Sequence, residues 1–257
     1  MNRVFITGAS SGIGAALARE YAAQGATLGL LARRRDALET LAASLPNPTL
    51  HQIYTVDVLD HPALAQAARA FLAAVGGADI VIANAGVSQG TLTEHHEDLA
   101  VFETIFATNV GATVATFAPF IAAMKLQNTP CRLVGIGSVA GIRGLPGGGA
   151  YSASKAAVLS YCESLRLELR PHGIRVVTIA PGYIDTPMTR DNAYPMPFLM
   201  PVDRFARRAV RSIADGDSYR VIPWQMGVIA KLLRALPNLV YDPLFLRAPH
   251  KARKVTA

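Results

Sequence analysis

The sequence predicts a single α/β domain built on a doubly wound parallel sheet of about seven strands, with helices on both faces. Short apolar runs rich in Val and Ile alternate with longer Ala- and Leu-rich segments of helical period, which is typical of successive βα units. Glycine and proline clusters stand where the strands end, and neither a linker nor a fixed-period repeat interrupts the alternation. The 257 residues, 51% of them hydrophobic, suffice for one sizeable core.

The elements follow in chain order from this alternation. Strands are predicted near 3–7, 27–32, 52–56, 79–83, 132–136, 174–180 and 219–222. Helices are predicted near 12–24, 35–45, 61–75, 97–110, 111–126, 151–170 and 202–214. We therefore expect a domain over 1–222, which includes a long loop at 183–200, and an appended segment at 223–257.

Composition and charge narrow the classes of protein further. The two cysteines, Cys131 and Cys162, allow at most one disulfide and make no metal motif, so we expect a reducing compartment and no bound metal. The start lacks the apolar core of an export signal, and no uninterrupted apolar run is long enough to span a bilayer. We expect a cytoplasmic protein without a nucleic-acid partner, in which any membrane contact is peripheral, at the inner face.

The first strand leads into a glycine-rich turn, Thr7-Gly8-Ala9-Ser10-Ser11-Gly12-Ile13-Gly14, and then into a helix. A turn without β-carbons lets the backbone approach a phosphate, and the helix N-terminus supplies free N–H groups and partial positive charge. This arrangement predicts a pyrophosphate site in a Rossmann-like fold, although the glycine spacing differs from the G-x-G-x-x-G fingerprint and a simple tight turn is the alternative. Candidate cofactor-binding residues here are Gly8, Ser10, Ser11, Gly12, Ile13 and Gly14.

The second strand ends in three arginines, Arg33-Arg34-Arg35, where an NAD-binding chain would carry an acidic ribose ligand. The planar guanidinium of Arg33 can pair with the extra phosphate of NADP and stack on adenine, and Arg34 and Ser10 can assist it. The alternative is a solvated basic helix start, but basic charge at that end opposes the helix dipole. The charge therefore favours NADP(H) as the cofactor.

The fifth strand is followed by Ser138, and Tyr151 and Lys155 come thirteen and seventeen residues later, one helical turn apart. A tyrosine with a pKa of about 10 is a poor acid or base at neutral pH, and a neighbouring ammonium would lower that pKa. With the glycine turn, Asp57, Asn84-Ala85-Gly86, Asn109 and Pro181-Gly182, these residues follow one order over 1 to about 190. In that order and spacing the chain resembles the short-chain dehydrogenase/reductase family.

The resemblance implies hydride transfer between a nicotinamide and a carbon that bears oxygen, and it assigns roles residue by residue. Tyr151 would exchange a proton with the substrate oxygen, Ser138 would hydrogen-bond that oxygen, and Lys155 would also hold the nicotinamide ribose. Asn109 would complete a proton relay. Further cofactor contacts implied by the resemblance are Asp57 and Val58, Asn84, Ala85 and Gly86 near the adenosine, and Pro181, Gly182, Ile184 and Thr186 around the nicotinamide.

The loop at 183–200 holds three of the six methionines together with Tyr194, Phe198 and Leu199. In this family the segment closes over the substrate, and a methionine-rich lid is soft and apolar, so we expect a hydrophobic carbonyl or alcohol substrate. The alternative is that these side chains only pack the lid against the body. Family members are commonly dimers or tetramers, so the resemblance implies that this chain forms a homo-oligomer. A non-catalytic dinucleotide-binding regulator on the same fold is the other candidate function, and the intact Ser138, Tyr151 and Lys155 favour the enzyme.

The segment 223–257 is basic and amphipathic. Residues 220–257 contain seven basic residues and one acidic residue, so +6 of the net charge of +7 lies there. On a helix one arc would be apolar and the opposite side would hold Gly227, Ala230, Lys231 and Arg234, while Trp224 and Tyr241 are suited to an interface. The apolar arc consists of Met226, Val228, Ile229, Leu232, Leu233 and Leu236. Beyond that helix the segment still combines apolar and basic residues, namely Phe245, Arg247, Lys251, Arg253 and Lys254. We expect this segment to dock on an anionic membrane surface; packing against the body or a second subunit is the alternative.

Overall fold

The computed structural model describes residues 2–190, 192, 194–246, 251 and 253. The strands are β1 Arg3–Thr7, β2 Thr27–Ala32, β3 Gln52–Thr55, β4 Ile80–Ala83, β5 Cys131–Ile136, β6 Ile174–Pro181, β7 Ile184–Asp185, β8 Met200–Pro201 and β9 Tyr219–Ile222. The helices are α1 Gly12–Ala23, α2 Arg35–Ser44, α3 His61–Val75, α4 Asp98–Phe106, α5 Ala112–Leu126, α6 Gly149–Leu169, α7 Pro187–Arg190, α8 Val202–Asp215, α9 Trp224–Ala235 and α10 Asn238–Phe245.

Seven strands form one parallel sheet in the order β3-β2-β1-β4-β5-β6-β9. The chain builds outward from β1 in one direction and then, after crossing back to β4, outward in the other. The carboxyl ends of β1 and β4 therefore border the crevice at which such sheets bind their ligands. The predicted fold class, a Rossmann-like doubly wound sheet in a single domain, is confirmed.

Helices cover both faces of the sheet, and the side-chain alternation along β1 shows why. Val4 and Ile6 belong to the core on the side of α1 and α8, whereas Phe5 belongs to the core on the side of α3, α5 and α6. The ring of Phe5 lies 5.0 Å from that of Phe120 and 5.4 Å from that of Phe71. Because both faces are buried, the strand reads as a continuous apolar run. Cys131 and Cys162 are free thiols buried in this second core.

The two helices predicted at 97–110 and 111–126 are joined. A π-helical turn at Ala107–Gly111 connects α4 to α5, so that the helix is continuous over Asp98–Leu126. By length and composition alone this 29-residue helix could cross a membrane. Phe117, Phe120 and Met124 of this helix pack against the sheet, whereas Leu99, Phe102, Val114 and Leu126 are exposed.

The predicted loop contains more regular structure than the sequence indicated, and the amphipathic segment after β9 is helical. The expected loop at 183–200 begins with β7, continues into α7 and ends at β8, and β7 pairs with β8 in parallel. The segment after β9 forms α9 and α10. The division of the chain into 1–222 and 223–257 stays a prediction, with β9 ending at Ile222 and α9 beginning at Trp224.

Candidate active site

A cavity of about 420 Å³ lies along the carboxyl ends of the central strands. Most of the predicted site residues line it, and Gly14 and Asn109 lie behind its wall. The predicted residues that line the cavity are Gly8, Ser10, Ser11, Gly12, Ile13, Arg33, Arg34, Asp57, Val58, Asn84, Ala85, Gly86, Ser138, Tyr151, Lys155, Pro181, Gly182, Ile184 and Thr186. Their assigned roles stay predictions, but the fold brings them to one crevice.

The glycine turn after β1 has a shape that only glycine permits at two positions. Gly8 and Gly12 have φ values of +67° and +54°, in the left-handed region, and a β-carbon on Gly8 would lie 2.9 Å from the α-carbon of Ala85. A β-carbon on Gly14 would collide with the backbone carbonyl of Gly8, so Gly14 lets α1 pack closely on the turn. The cradle thus leaves room for a pyrophosphate beside the first turn of α1, and the residues fit a dinucleotide.

Asn84 holds the glycine turn in place. Its Nδ2 donates to the carbonyls of Thr7 at 3.0 Å and Gly8 at 3.2 Å, and its backbone N–H donates to Oγ1 of Thr7 at 3.1 Å. The side chain therefore ties the end of β4 to the end of β1. The family resemblance implied that Asn84 contacts the adenosine of the cofactor. The structure shows in addition that Asn84 holds the glycine-rich turn by hydrogen bonds.

The two arginines after β2 lie at the adenosine end of the cavity. Arg34 Nη2 donates to Oγ of Ser10 at 3.2 Å. Arg33 Nη1 lies 3.7 Å from Oδ2 of Asp57, and the Arg33 side chain is 73% exposed. Asp57 also accepts from the N–H of Leu59 at 3.0 Å. Two guanidinium groups and a hydroxyl thus surround the rim where the adenosine ribose of a dinucleotide would lie.

The proposed catalytic side chains are positioned by β5 and α6. Ser138 follows β5 and caps the 3₁₀ turn Val139–Gly141, with its Oγ accepting from the N–H of Ala140 at 3.1 Å. Tyr151 lies in the first turn of α6. A β-carbon on Gly141 would lie 2.7 Å from the carbonyl carbon of Lys155, so glycine allows the Ser138 turn to pack directly on α6. Ser138 and Tyr151 are close enough to share a hydrogen bond.

The pKa values differ from the sequence expectation. Burial raises the pKa of Tyr151, and the hydrogen bond with Ser138 acts in the opposite direction. Burial lowers the pKa of Lys155 to about 8. Lys155 Nζ donates to the carbonyl of Ile136 at 2.8 Å and lies 5.9 Å from the centre of the Tyr151 ring. In this geometry the pKa of Tyr151 is raised because burial is the largest influence on it, and the lowering of that pKa by the Lys155 ammonium stays a prediction.

Asn109 lies in the π-helical turn, and its side chain is fully engaged. Its Nδ2 donates to Val87 O at 3.0 Å and to Ser154 Oγ at 2.9 Å, and its Oδ1 accepts from Val87 N at 2.8 Å. A β-carbon on Gly86 would lie 3.1 Å from this Oδ1 and 3.6 Å from Lys155 Nζ. Asn109 thus fixes the loop after β4 against α6, and its part in a proton relay stays a prediction.

The lid segment after β6 exposes three apolar side chains and is held together by threonine hydrogen bonds. Thr189 Oγ1 donates to the carbonyl of Ile184 at 2.6 Å and accepts from the N–H of Thr186 at 3.1 Å. Met188, Phe198 and Leu199 are exposed. Tyr194 lies edge-on to Tyr183, with ring centres 6.3 Å apart. Asp191 and Ala193 of this predicted loop lie outside the described residues.

The segment after β9 is clamped to the Ser138 loop by Arg143. Its Nη1 donates to the carbonyls of Leu233, Arg234 and Leu236 at 2.8, 3.1 and 2.9 Å. The guanidinium thereby caps the C-terminal end of α9. Its Nη2 donates to Oδ1 of Asn238 at 3.0 Å. The guanidinium also lies 3.7 Å from the centre of the Tyr241 ring, and the Tyr241 hydroxyl donates to Gly144 O at 2.8 Å.

Two basic residues assigned to a membrane surface contact the body instead. Arg253 donates to Asp98 Oδ2 and to Glu97 Oε1, both at 2.8 Å. Lys251 Nζ donates to Met188 O at 3.1 Å and lies 3.5 Å from Ser88 Oγ. For Arg253 the ion pairs with Glu97 and with buried Asp98 favour the alternative, packing against the body, and the membrane docking itself stays a prediction. Arg247 and Lys254 lie outside the described residues.

The apolar arc predicted on α9 is also divided. Met226 of the arc is buried, and Ile229 is partly buried. Gly227 and Ala230, which the sequence placed on the polar side, are also buried. Val228 and Leu232 face solvent instead. Part of the arc therefore packs on the body, as the alternative held, and part forms an exposed stripe.

Sequence reasoning missed several residues that shape the site. Thr104 and Thr108 line the cavity from α4 and the π-helical turn, and their spacing of four residues on a helix could have indicated a shared face. Val87 directly follows Gly86, and Met188 and Thr189 come two and three residues after Thr186. No local signal marked Arg143, because its partners lie about 90 residues away in sequence.

Comparisons with known proteins agree with this site. The model of the short chain dehydrogenase family matches residues 2–195. An uncharacterized oxidoreductase of Myxococcus xanthus is 37% identical over 239 residues, covering 92% of this chain and 93% of that protein. An 11-beta-hydroxysteroid dehydrogenase-like 2 protein of Arabidopsis thaliana is 33% identical over 249 residues, covering 92% and 78%. The chain belongs to the short-chain dehydrogenase family.

Solved structures show the same architecture with a dinucleotide bound. A 3-ketoacyl-(acyl-carrier-protein) reductase from Brucella melitensis, complexed with NADH, superposes with a TM-score of 0.76 at 25% identity, covering 86% of this chain and 96% of that one. An alcohol dehydrogenase from Thermococcus sibiricus, complexed with 5-hydroxy-NADP, gives 0.75 at 27%, covering 86% and 93%. The protein is an oxidoreductase that uses a nicotinamide cofactor and acts on CH–OH or C=O groups. These comparisons give no support to the non-catalytic alternative.

Proposed function

We propose that the protein is an NADPH-dependent reductase of hydrophobic carbonyl compounds, which also oxidises the corresponding alcohols with NADP. The observation that carries the cofactor preference is the pair Arg33 and Arg34 beside Ser10 at the end of β2. A carboxylate at this position would repel the 2′-phosphate of NADP, whereas guanidinium groups pair with it through charge-assisted hydrogen bonds. Asp57, which faces Arg33, would release the guanidinium to the phosphate.

The chemistry follows from the side chains around the nicotinamide end. A bound nicotinamide supplies or accepts the hydride. Tyr151 donates its hydroxyl proton to the substrate oxygen during reduction and takes it back during oxidation, while Ser138 holds that oxygen in place. Lys155 must turn from the carbonyl of Ile136 toward the ribose hydroxyls and the phenol, where its positive charge lowers the pKa that burial has raised.

The substrate class rests on the lid. Met188, Phe198 and Leu199 present exposed apolar surface, and Tyr194 with Tyr183 adds two aromatic rings beside the cavity. Soft thioether and aromatic groups favour aliphatic or polycyclic substrates over hydroxylated sugars. One named relative is a hydroxysteroid dehydrogenase-like protein, which agrees with this class.

The cofactor preference is tested with the ratio of kcat/KM for NADPH to that for NADH. Arg33→Asp should lower this ratio tenfold or more, because each charge-assisted contact contributes about 1.5–3 kcal/mol. Arg35→Asp is the matched control, because it changes the charge by the same amount two residues later in the chain. Arg35 pairs with Glu39 on α2 and does not line the cavity. Equal kcat/KM values for the two cofactors in the unmodified protein would refute the preference.

The substrate class is tested with a series of methyl ketones of increasing chain length. Each added methylene that enters the apolar lid should raise kcat/KM up to about fourfold, since burial of one methylene is worth about 0.8 kcal/mol. A preference for a polyhydroxylated ketone of equal size would refute it. The cytoplasmic location and the homo-oligomer, a dimer or tetramer, stay predictions; sedimentation velocity tests the latter.

A further inference from the structure

The outward side of α9 and α10 carries an apolar surface that the core does not use. On α9 the exposed apolar residues are Trp224, Val228 and Leu232, four apart, with 64%, 48% and 63% of each exposed. Beyond α9 the exposed apolar residues are Leu239, Val240, Leu244 and Leu246. We call these seven residues the outer face.

The outer face is distinct from the side of α9 that holds the helix on the body. Met226, Gly227 and Ala230 are buried; Met226 packs on Gly182 and Gly227 on Val221. The described part of the chain has eighteen exposed large hydrophobic residues, and seven of them lie on the outer face. An apolar surface concentrated in this way, on a helix already anchored by its other side, indicates a binding surface.

The surroundings of the outer face are basic. Lys231 and Arg234 are exposed on α9, a helix without acidic residues. A second cavity of about 200 Å³ adjoins Trp224, and Arg208, Arg211 and Arg220 line it. Acidic groups are also near: Asp215 and Asp217 line that cavity, with Asp217 paired to Arg220 at 2.7 Å, and Asp242 lies on α10. Within the described residues Arg208, Arg211, Lys231 and Arg234 form no ion pair, so a positive excess remains.

We propose that the outer face docks on an anionic lipid bilayer. A tryptophan, aliphatic side chains and basic residues on one helical surface match the interface between acyl chains and charged headgroups. A second copy of this chain fits less well, because a two-fold contact places the same patch on both sides and brings Lys231 and Arg234 toward their own counterparts. Anionic headgroups would instead neutralise these charges.

The site explains why such docking is useful, provided that the proposed hydrophobic substrate is correct. Gly182, on which Met226 packs, lines the cavity, so α9 begins at the rim of the active site. The exposed Met188, Phe198 and Leu199 of the lid add to the apolar surface of the molecule. A substrate dissolved in the bilayer would then lie near the cavity. The docking itself does not depend on which carbonyl compound is reduced.

The experiment uses the intact protein and the fluorescence of its tryptophan. Trp224 is the sole tryptophan of the chain, so its emission reports on the outer face alone. Vesicles of phosphatidylcholine with phosphatidylglycerol are compared with phosphatidylcholine vesicles, at about 0.1 M and about 1 M salt, where the Debye length is about 10 and 3 Å. We expect a shift of the emission to shorter wavelength and co-sedimentation with the anionic vesicles, both weakened by high salt.

Paired variants separate charge from apolar contact. Lys231→Gln with Arg234→Gln should weaken binding to anionic vesicles about 25-fold, since each basic residue near such a surface contributes about 1 kcal/mol, or about fivefold. Arg69→Gln with Lys125→Gln is the matched control, because both residues are exposed on other helices. Leu232→Gln should also weaken binding, whereas Leu126→Gln, at an 85% exposed leucine on α5, should not.

Several results would overturn the proposal. They are an unchanged Trp224 emission with anionic vesicles, binding that the charge variants leave unaltered, and a shift that appears with protein concentration in the absence of lipid, which would indicate a second copy. Reduction of a soluble short ketone, measured without vesicles, tests the proposed function separately. Loss of vesicle binding with retained reductase activity would thus contradict the docking alone.

Discussion

Replacing Lys155 by methionine should make the cofactor-free protein more stable at neutral pH while abolishing turnover. Lys155 is 6% exposed, and burial lowers its pKa from the ordinary 10.5 to about 8. In the unfolded chain the pKa returns to about 10.4. Keeping the protonated ammonium inside the folded protein at pH 7 therefore costs about 3 kcal/mol, since each pKa unit corresponds to about 1.4 kcal/mol.

The sign of the pH dependence follows from that lowered pKa. Between pH 8 and about 10.5 the unfolded chain binds the lysine proton more tightly than the folded one, so stability rises with pH across this window. At about pH 9.5 the cost has fallen to about 1 kcal/mol, a gain of about 2 kcal/mol over pH 7 that the methionine variant lacks. Methionine leaves the carbonyl of Ile136 without this donor, which lowers the stability of the variant by about 1–3 kcal/mol at both pH values, so its net gain at pH 7 is about 0–2 kcal/mol.

The assay is urea unfolding of both proteins without cofactor at pH 7 and at about pH 9.5. Tyrosines such as Tyr21 and Tyr161, whose pKa values burial raises, are common to both proteins, so their contribution cancels in the difference between the two. Lys125→Met, at an exposed lysine of α5, serves as the control and should follow the unmodified protein. Parallel pH profiles for Lys155→Met and the unmodified protein would refute the reasoning.

Two further predictions concern the proton donor and the clamp. Tyr151→Phe should lower turnover by at least about 100-fold with nearly unchanged cofactor binding, because only the hydroxyl is removed; retention of a tenth of the activity would mean that another group donates the proton. Arg143→Met should lower the free energy of unfolding by about 2–4 kcal/mol, since several charge-assisted hydrogen bonds disappear at once. Arg143→Lys should lie between, because it keeps the charge without the planar fork, and equal urea midpoints for all three proteins would exclude the clamp as a stabilising contact.

The fold was predictable because its signals are local. A strand buried on both faces tends to be a continuous apolar run, and β4, Ile80-Val81-Ile82-Ala83, shows this in the sequence itself. The glycine turn and the spacing of Tyr151 and Lys155 are also local, and parallel strands necessarily bring their carboxyl ends to one edge. The grouping of these motifs in one cavity therefore follows from sequence order and sheet topology.

What the sequence could not supply depends on desolvation and on contacts between distant segments. A neighbouring lysine suggests a lowered tyrosine pKa, but whether burial outweighs the charge depends on the packed interior around Tyr151. Similarly, Arg253 appears as free basic charge until the chain end meets Asp98, 155 residues away in sequence. The basic excess near the C-terminus was predicted, but which of its charges remain free was not.

Because of the Arg143 clamp, we expect the end of α9 and the loop that carries Ser138 to unfold locally as one unit. One guanidinium holds the last carbonyls of α9, and the hydroxyl of Tyr241 closes the same link on Gly144. Opening one partner releases the other, so amide protons at the C-terminal turn of α9 and in the Val139–Gly141 turn should exchange with solvent at matching free energies. Loosening of α9 at the outer surface should therefore be felt at Ser138, through the Arg143 clamp and the Tyr241 hydrogen bond.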